Sequence, residues 1–361
     1  MGEAHIWAPL GRRRQRGYTL LATGLALFAV VGITGLAIDL GRLYVAKNET
    51  QTYVDSAALA AALELDGTSA GFQRARDAVA NSPNQWNFGN NTFSGAQVEF
   101  SQNATGPWEA SPMSAAGYRF VRVRAGVPVP MTFIRVVAEG ATRPVNAEAV
   151  AGQVLVNGLS EGACPFSPLA HNGTPPDYGL WNGGIFTLRW AANPKLNKPN
   201  TLCAGDATPA MLDKQADLDS EQRGYIEETS AAVIRKAVLY DYQTVYRQIG
   251  DSVTMTGGTK ATITQAVIDR IYTDSDTQSA TFDEYDSQGT GNGRRIMACP
   301  VNTGPPDYQI VQIAAFFLLP PGQYTQSGQR PICAEYIGPY VKGSPRPGAG
   351  SSGYYVVRLV Q

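Results

Sequence analysis

The stretch GYTLLATGLALFAVVGITGLAI, residues 17–38, decides the fold. It carries no charge, and the GRRRQR just before it sets Arg12, Arg13, Arg14 and Arg16 at its start. A hydrocarbon layer about 30 Å thick is crossed by roughly 20 apolar residues in a helix, so this run is long enough to span. Loops on the cytoplasmic side of a span are rich in Lys and Arg. The arginines therefore predict a cytoplasmic basic tail over 1–16, a transmembrane helix over 17–38 and an extracytoplasmic remainder. A cleaved secretory leader would share the basic start and the apolar middle. The length of the run, and the lack of an A-x-A-like site closing it, favour an uncleaved anchor. The chain continues instead into AIDLGRLYVAKNETQTYVDSAALAAALEL, which keeps a helical character.

Beyond Asp39, the apolar positions Leu40, Leu43, Tyr44, Val54, Ala58, Leu59, Ala62 and Leu65 recur with mostly helical spacing. Arg42, Lys47, Asn48, Glu49, Gln51 and Asp55 fall between them, and Gly67 is a candidate C-cap. From Gly17 this makes a helix of about 50 residues, or roughly 75 Å at 1.5 Å per residue. Half would lie in lipid and half would project as an amphipathic stalk. Ala57, Ala58, Ala60, Ala61 and Ala62 permit close packing. Residues 69–82 read as a second short helix, broken by Pro83 and NQWNFGNN. Strand patterns follow at 96–100, 118–127 and 143–156. In the second of these Phe120, Val121, Val123 and Val127 alternate with Arg119, Arg122 and Arg124. MTFIRVVAEG (131–140) fits either a short helix or a strand. Residues 39–156 thus predict a long helix lying on a small antiparallel sheet.

NGLSEGA, from Asn157, opens a second region, 157–361, that is β-rich. Its main helix signal is 220–240, with Ser220 as N-cap and Glu221 and Glu227 favouring the early turns. Residues 244–272 contain a Gly257-Gly258 turn. RRIMACPV (294–301) and SGYYVVRLV (352–360) read as strands. YQIVQIAAFFLLP (308–320) is too short and too β-branched for a second span and predicts a buried central strand.

The chain has 361 residues, a net charge of −1, 16% charged residues, 38 glycines and 23 prolines. That length suits two domains, and the composition is that of a loop-rich extracellular β protein. A nucleic-acid binder would show a basic stripe; the one basic cluster here is the membrane flank. Cys164, Cys203, Cys299 and Cys333 all follow the span, and an even count in an oxidising compartment predicts two disulfides. All three pairings stay open. No C-x-x-C occurs, which removes the zinc-ribbon and thioredoxin readings. There is also an internal echo. Ala163-Cys164-Pro165 precedes Thr174-Pro175-Pro176-Asp177-Tyr178, and Ala298-Cys299-Pro300 precedes Gly304-Pro305-Pro306-Asp307-Tyr308. With Cys203 and Cys333 following, two similar disulfide-pinned loops would explain it; chance likeness of Pro-rich turns is the alternative.

The block from Arg12 to Leu65 resembles the N-terminus of TadE/TadG-like proteins of Tad/Flp pilus assembly. The resemblance rests on basic residues before Gly17, an apolar span ending in Gly35-Leu36-Ala37-Ile38-Asp39-Leu40-Gly41-Arg42-Leu43-Tyr44, and the helix Asp55-Ser56-Ala57-Ala58-Leu59-Ala60-Ala61-Ala62. Residues 127–151, 250–270 and 314–319 are similar to later parts of some members. The resemblance implies a single-pass, pilin-like α+β protein that acts as a pilus subunit or accessory. Its partners would be the inner membrane, other pilus-assembly subunits through the N-terminal helix, and further copies of itself in a filament. Gly17-Tyr18-Thr19-Leu20-Leu21 is similar to a prepilin-peptidase site with cleavage after Gly17; Ala22 stands where such pilins carry Glu. Some TadG-like proteins add a von Willebrand A-type domain with a D-x-S-x-S metal motif, and this chain has no such pattern.

Little else in the chain points to chemistry. His5 lies in the basic tail and His171 in a Pro/Gly-rich loop, read as exposed; a nucleophile relay or zinc site needs convergent partners. Asp213, Asp217, Asp219 and Glu221 form one acidic cluster; Asp274, Asp276, Asp283, Glu284 and Asp286 form another. Paired acids serve glycoside hydrolysis, and oxygen-rich loops hold calcium, for which Asp217, Asp219 and Glu221 are the candidates. Neither cluster has the EF-hand glycine, and solvated loops are the expected reading. GTGNG (289–293) lacks the strand–helix context of a phosphate loop. Trp86, Trp108, Trp181 and Trp190 suit either core and rim or a glycan-binding face. Gly24, Gly32 and Gly35 would let a neighbouring helix approach closely in the membrane. The sequence therefore predicts a membrane-anchored α+β protein without catalytic residues or cofactor. A surface adhesin is the alternative, and an envelope hydrolase a remote one.

Overall fold

The run of residues 17–38 and the stalk after it form one continuous helix, α1 (Gln15–Leu63), in the computed structural model of the chain. The structure describes residues 15–133, 142–191, 202–219, 222–227, 230–243, 245–257, 260–324, 330–351 and 353–360. Most of 131–140, together with Arg12, Arg13, Arg14, Ser220, Glu221 and Gly258, lies outside them. The chain resolves into two compact units. The first is Met1–Val54, Pro83–Ala96 and Arg124–Glu148, and the second is Asp55–Ser82, Gln97–Val123 and Ala149–Gln361.

The class is α+β, with a β-rich C-terminal part. α2 (Ser69–Asn81) follows α1; the Thr68 hydroxyl accepts the Gly71 N–H at 3.1 Å, and Phe72, Ala75 and Val79 turn inward. Eight strands build the main sheet: β1 (Gln97–Ser101), β2 (Phe120–Pro130), β3 (Thr142–Val156), β4 (Ile185–Arg189), β5 (Ile296–Asn302), β6 (Ile310–Leu318), β7 (Ile332–Val341) and β8 (Tyr354–Leu359). The order is β5-β6-β7-β8-β3-β2-β1, with β4 also paired to β7. The last strand, β8, runs antiparallel to β3, from Tyr354 opposite Val156 to Leu359 opposite Ala151. It meets β7 in parallel. The strands expected before and after residue 157 therefore share one sheet, because the C-terminus returns to pair with β3.

β6 is the central strand predicted from its apolar run. It is paired with β5 on one side and β7 on the other. Ala314, Phe316 and Leu318 enter the core built with α4 (Ala231–Tyr240) and α5 (Ala261–Ile271), while Ala315 and Phe317 pack under Phe282 and Tyr285 of α6 (Phe282–Gln288). A strand covered on both faces loses its polar alternation, and this is why AAFFLL reads as continuous. Between β4 and α4, α3 (Pro209–Ala216) starts on Thr208, whose hydroxyl accepts the Met211 N–H.

The helix expected over 220–240 starts only at Ala231. Tyr225–Ile226 form a short strand against Met255–Thr256. Both residues are buried, and burial of that pair outweighs the helical pattern.

The internal echo is structural. The Asn172 and Asn302 side chains accept the N–H groups of Thr174 and Gly304, at 2.9 and 2.7 Å. Tyr178 and Tyr308 both adopt left-handed backbone, at φ 52° and 46°. Each donates its N–H to the residue four back, Thr174 or Gly304, at 3.0 Å. The bridges are not those of two separately pinned loops, however. Cys164 pairs with Cys299 and Cys203 with Cys333, with Cα–Cα distances of 5.1 and 5.8 Å. Corresponding cysteines of the two blocks join each other because the blocks lie side by side, bridged in parallel at Ala163–Ala298 and Leu169–Asn302.

Candidate membrane-anchor site

From Tyr18 to Ile33, α1 exposes large apolar side chains on every face: Tyr18 is 79% exposed, Leu20 80% and Phe28 73%, and Leu27 and Ile33 also face outward, as does Leu40 further on. An apolar rod bare all round belongs in lipid rather than water. α1 is one helix long and apolar enough to cross a membrane. Gly17 and Tyr18 lie at its exposed start; a side chain at Gly17 would meet nothing within 4 Å.

A buried stripe begins inside the predicted span. Gly35 and Asp39 are its first members, followed by Ala46, Thr50, Tyr53 and Val54 and then Ala57, Ala58, Ala61 and Ala62. Steps of three, four and seven residues keep these positions on one helix face. The Asp39 carboxylate is fully buried, and it accepts the backbone N–H groups of Thr132 at 3.0 Å and Phe133 at 2.8 Å. A buried ion needs such donors. The same turn lays the Phe133 ring over Gly35, where a Cβ would lie 2.6 Å from the ring. Of the three glycines expected to admit a neighbouring helix, Gly24 and Gly32 face open space and Gly35 is occupied by Phe133.

One turn further on, Arg42 donates to the Thr132 hydroxyl at 2.9 Å. Glu49 then accepts the N–H groups of Asn87 at 2.7 Å and Phe88 at 3.2 Å. Between these two anchors lies a groove of about 230 Å³ whose walls include Ile38, Gly41, Val45, Trp86 and Pro130. Tyr53 stacks on Phe93 at 4.7 Å, and Lys47 donates to the Asn146 carbonyl at 2.6 Å. In the second unit, Gln153 of β3 reaches the end of α1. Its side-chain amide donates to Ala62 O and Leu65 O, and its carbonyl accepts the Ala349 N–H.

The remaining candidates are structural in their contacts. His171, expected as an exposed loop residue, is largely covered: Nε2 lies 2.8 Å from Asp206 Oδ1, with the ring edge-on to Phe186 and Trp181. Asp206 Oδ2 accepts the Thr187 N–H, so the pair ties the Pro-rich loop to β4. Asp274 and Asp276, expected in a solvated loop, are buried. Asp274 accepts the Tyr285 hydroxyl and the Arg295 N–H, and Asp276 the Ser279 hydroxyl and N–H. Fully buried Arg295 donates to the carbonyls of Asp276, Ser279 and Leu318 and lies 4.1 Å over the Phe317 ring. Burial alone would raise the pKa of Asp276, but the Ser279 and Gln278 donors and the Arg295 charge hold it below the usual carboxylate range. Sequence reading missed this knot because Arg295 sits in an ordinary strand run.

Asp213, Asp217 and Asp219 are exposed along and after α3, and Glu221 lies outside the described residues. Among the described residues, no three His, Cys, Asp or Glu side chains are placed to hold a metal ion. Trp86 and Trp190 are buried, Trp108 lies under Arg122, and Trp181 is half-exposed.

Residues 17–64 match the model of a family described as putative Flp pilus-assembly TadE/G-like. The match covers α1 from the first residue of the apolar run to just past its last turn. The match supports a pilus-assembly-related role and, with the apolar helix, fits a membrane-associated pilus component. Comparison with curated proteins and with solved structures gives no significant match.

Proposed function

We propose that the chain is a non-enzymatic, single-pass, pilin-like subunit or accessory of a Tad/Flp-type pilus-assembly system. Its basic N-terminus would be cytoplasmic and its disulfide-bonded part periplasmic or at the cell surface. The observation that carries the reading is the coincidence of two boundaries. The family match covers the same helix whose first half is bare and apolar and whose second half carries a buried stripe. Such a rod partitions into lipid at one end and holds a folded body at the other. Lateral association through the open faces around Gly24 and Gly32 would join it to other subunits. The test is the intact mass of the protein from membranes and from sheared filaments. A filament species beginning at Tyr18 makes it a processed subunit, and full-length protein confined to membranes makes it an accessory. Recovery from the soluble fraction with all four thiols reduced would end the proposal.

A further inference from the structure

We infer that the groove beside Arg42 binds one membrane phospholipid, its phosphate on the Arg42 guanidinium and the upper part of an acyl chain along Ile38 and Gly41. The inference rests on the membrane-anchor reading and adds a ligand to it. Three observations carry it.

The first is depth. The uncharged run ends at Ile38, and Arg42 lies four residues on, about 6 Å further along the axis at 1.5 Å per residue. The polar headgroup layer occupies roughly 5–7 Å outside the hydrocarbon on each side, so the guanidinium falls at phosphate height. Asp39, between the two, does not disturb this, because its carboxylate is buried under the Thr132 and Phe133 N–H groups.

The second is charge. Among the described residues Arg42 makes no ion pair; its one bond is to the Thr132 hydroxyl. A guanidinium has five donors in a planar fork suited to phosphate oxygens, so donors remain for a ligand. The one carboxylate in the groove wall, Glu49, is seven residues away, about 10 Å along the helix. It is already held by two backbone N–H groups.

The third is shape. The groove runs from Glu49 down to Ile38, is walled by Val45, Trp86 and Pro130, and has a volume of about 230 Å³. Gly41 forms part of its wall and has open space where a side chain would point. An amphiphile with an anionic group partway along and an apolar tail toward the membrane fits this arrangement.

The experiment uses the full chain, reconstituted in nanodiscs of mixed phosphatidylethanolamine and phosphatidylglycerol, released into mild detergent and weighed by native mass spectrometry. The wild type should retain one phospholipid. Arg42→Gln should lower that occupancy by about tenfold, the loss of one charge-assisted contact. Gly41→Leu, which fills the groove and leaves Arg42 in place, should lower it as well. Arg124→Gln, which removes a surface guanidinium paired with Glu148, should not. Equal retention by the wild type, Arg42→Gln and Gly41→Leu, with all three in the membrane pellet, overturns the lipid site and leaves the anchor standing. A wild type absent from the membrane pellet overturns the anchor itself.

Discussion

The two halves of α1 differ in composition and meet opposite surroundings: residues 17–38 carry no charge, whereas Asp39, Arg42, Lys47, Glu49 and Asp55 interrupt the second half. Between Tyr18 and Tyr44 the large side chains point outward, whereas Val54, Ala57, Ala58, Ala61 and Ala62 are fully buried. The difference lies in side-chain size and in what the stripe meets. The first half is wrapped in Leu, Val, Ile and Phe, and these side chains are exposed among the described residues. The second carries an alanine seam, polar residues on the other side, and polar partners waiting for its end. One helix thus serves two solvents. The end of the uncharged run at Ile38 marks the change in the sequence, and the buried stripe that starts at Gly35 and Asp39 marks it in the structure.

The comparison breaks most readily at charged substitutions. Ala58→Asp should cost about 3–5 kcal/mol, the penalty of an unpaired buried charge, and should leave the chain protease-sensitive in detergent. Leu27→Asp should leave proteolysis and melting in detergent unchanged, and should instead lower the membrane-pelleted fraction, since an acid at the centre of a span costs about 3 kcal/mol in insertion. If both variants lose stability in detergent to the same degree, the division of α1 is wrong. Next in size is Gln153→Ala. It strands Ala62 O, Leu65 O and Ala349 N, and should cost about 3 kcal/mol, given 1–3 kcal/mol per unpaired buried group, read as a lower denaturant midpoint. The glycines give a finer contrast. Gly35→Leu must displace Phe133 and should cost about 1–3 kcal/mol. Gly24→Leu and Gly32→Leu, with open space at the Cβ, should stay within about 0.5 kcal/mol in a thermal melt.

The smallest expected effect lies away from the helix and serves as its control. Asp276 has a folded pKa below its unfolded one. Its contribution to stability is therefore full above about pH 4, the unfolded carboxylate range, and fades as the pH falls toward the folded value. Asp276→Asn should flatten this acid limb in a pH series of melts, while Gly24→Leu leaves it unchanged.

The sequence made the long helix, α2, the three strands before residue 157 and the central strand β6 legible, because each carries a local period or a dense apolar run. The closing of one sheet by β8 was not legible, since pairing with β3 joins residues as far apart as Ala151 and Leu359. The delayed start of α4 was hidden because Tyr225 and Ile226 suit either a helix face or a buried strand. At the anchor, the arginines, the apolar run and Asp39 were visible. The role of Asp39 was not: its partners are backbone N–H groups at 132 and 133, which leave no mark in residue type. The disulfide partners were hidden because residue type marks the four cysteines but not which of them meet across 130 residues or more; two separately pinned loops, one explanation of the echo, are not the pairing found.

That pairing has a consequence for the life of the molecule. Each bridge spans a long stretch, 135 residues for Cys164–Cys299 and 130 for Cys203–Cys333. Neither can close until its distal cysteine, Cys299 or Cys333, has emerged, so covalent locking waits for 130 residues or more beyond the first partner. Once closed, the two bridges interlace. A protease that cuts anywhere between Cys203 and Cys299 leaves both fragments riveted together, an injury that shows on a gel only after reduction.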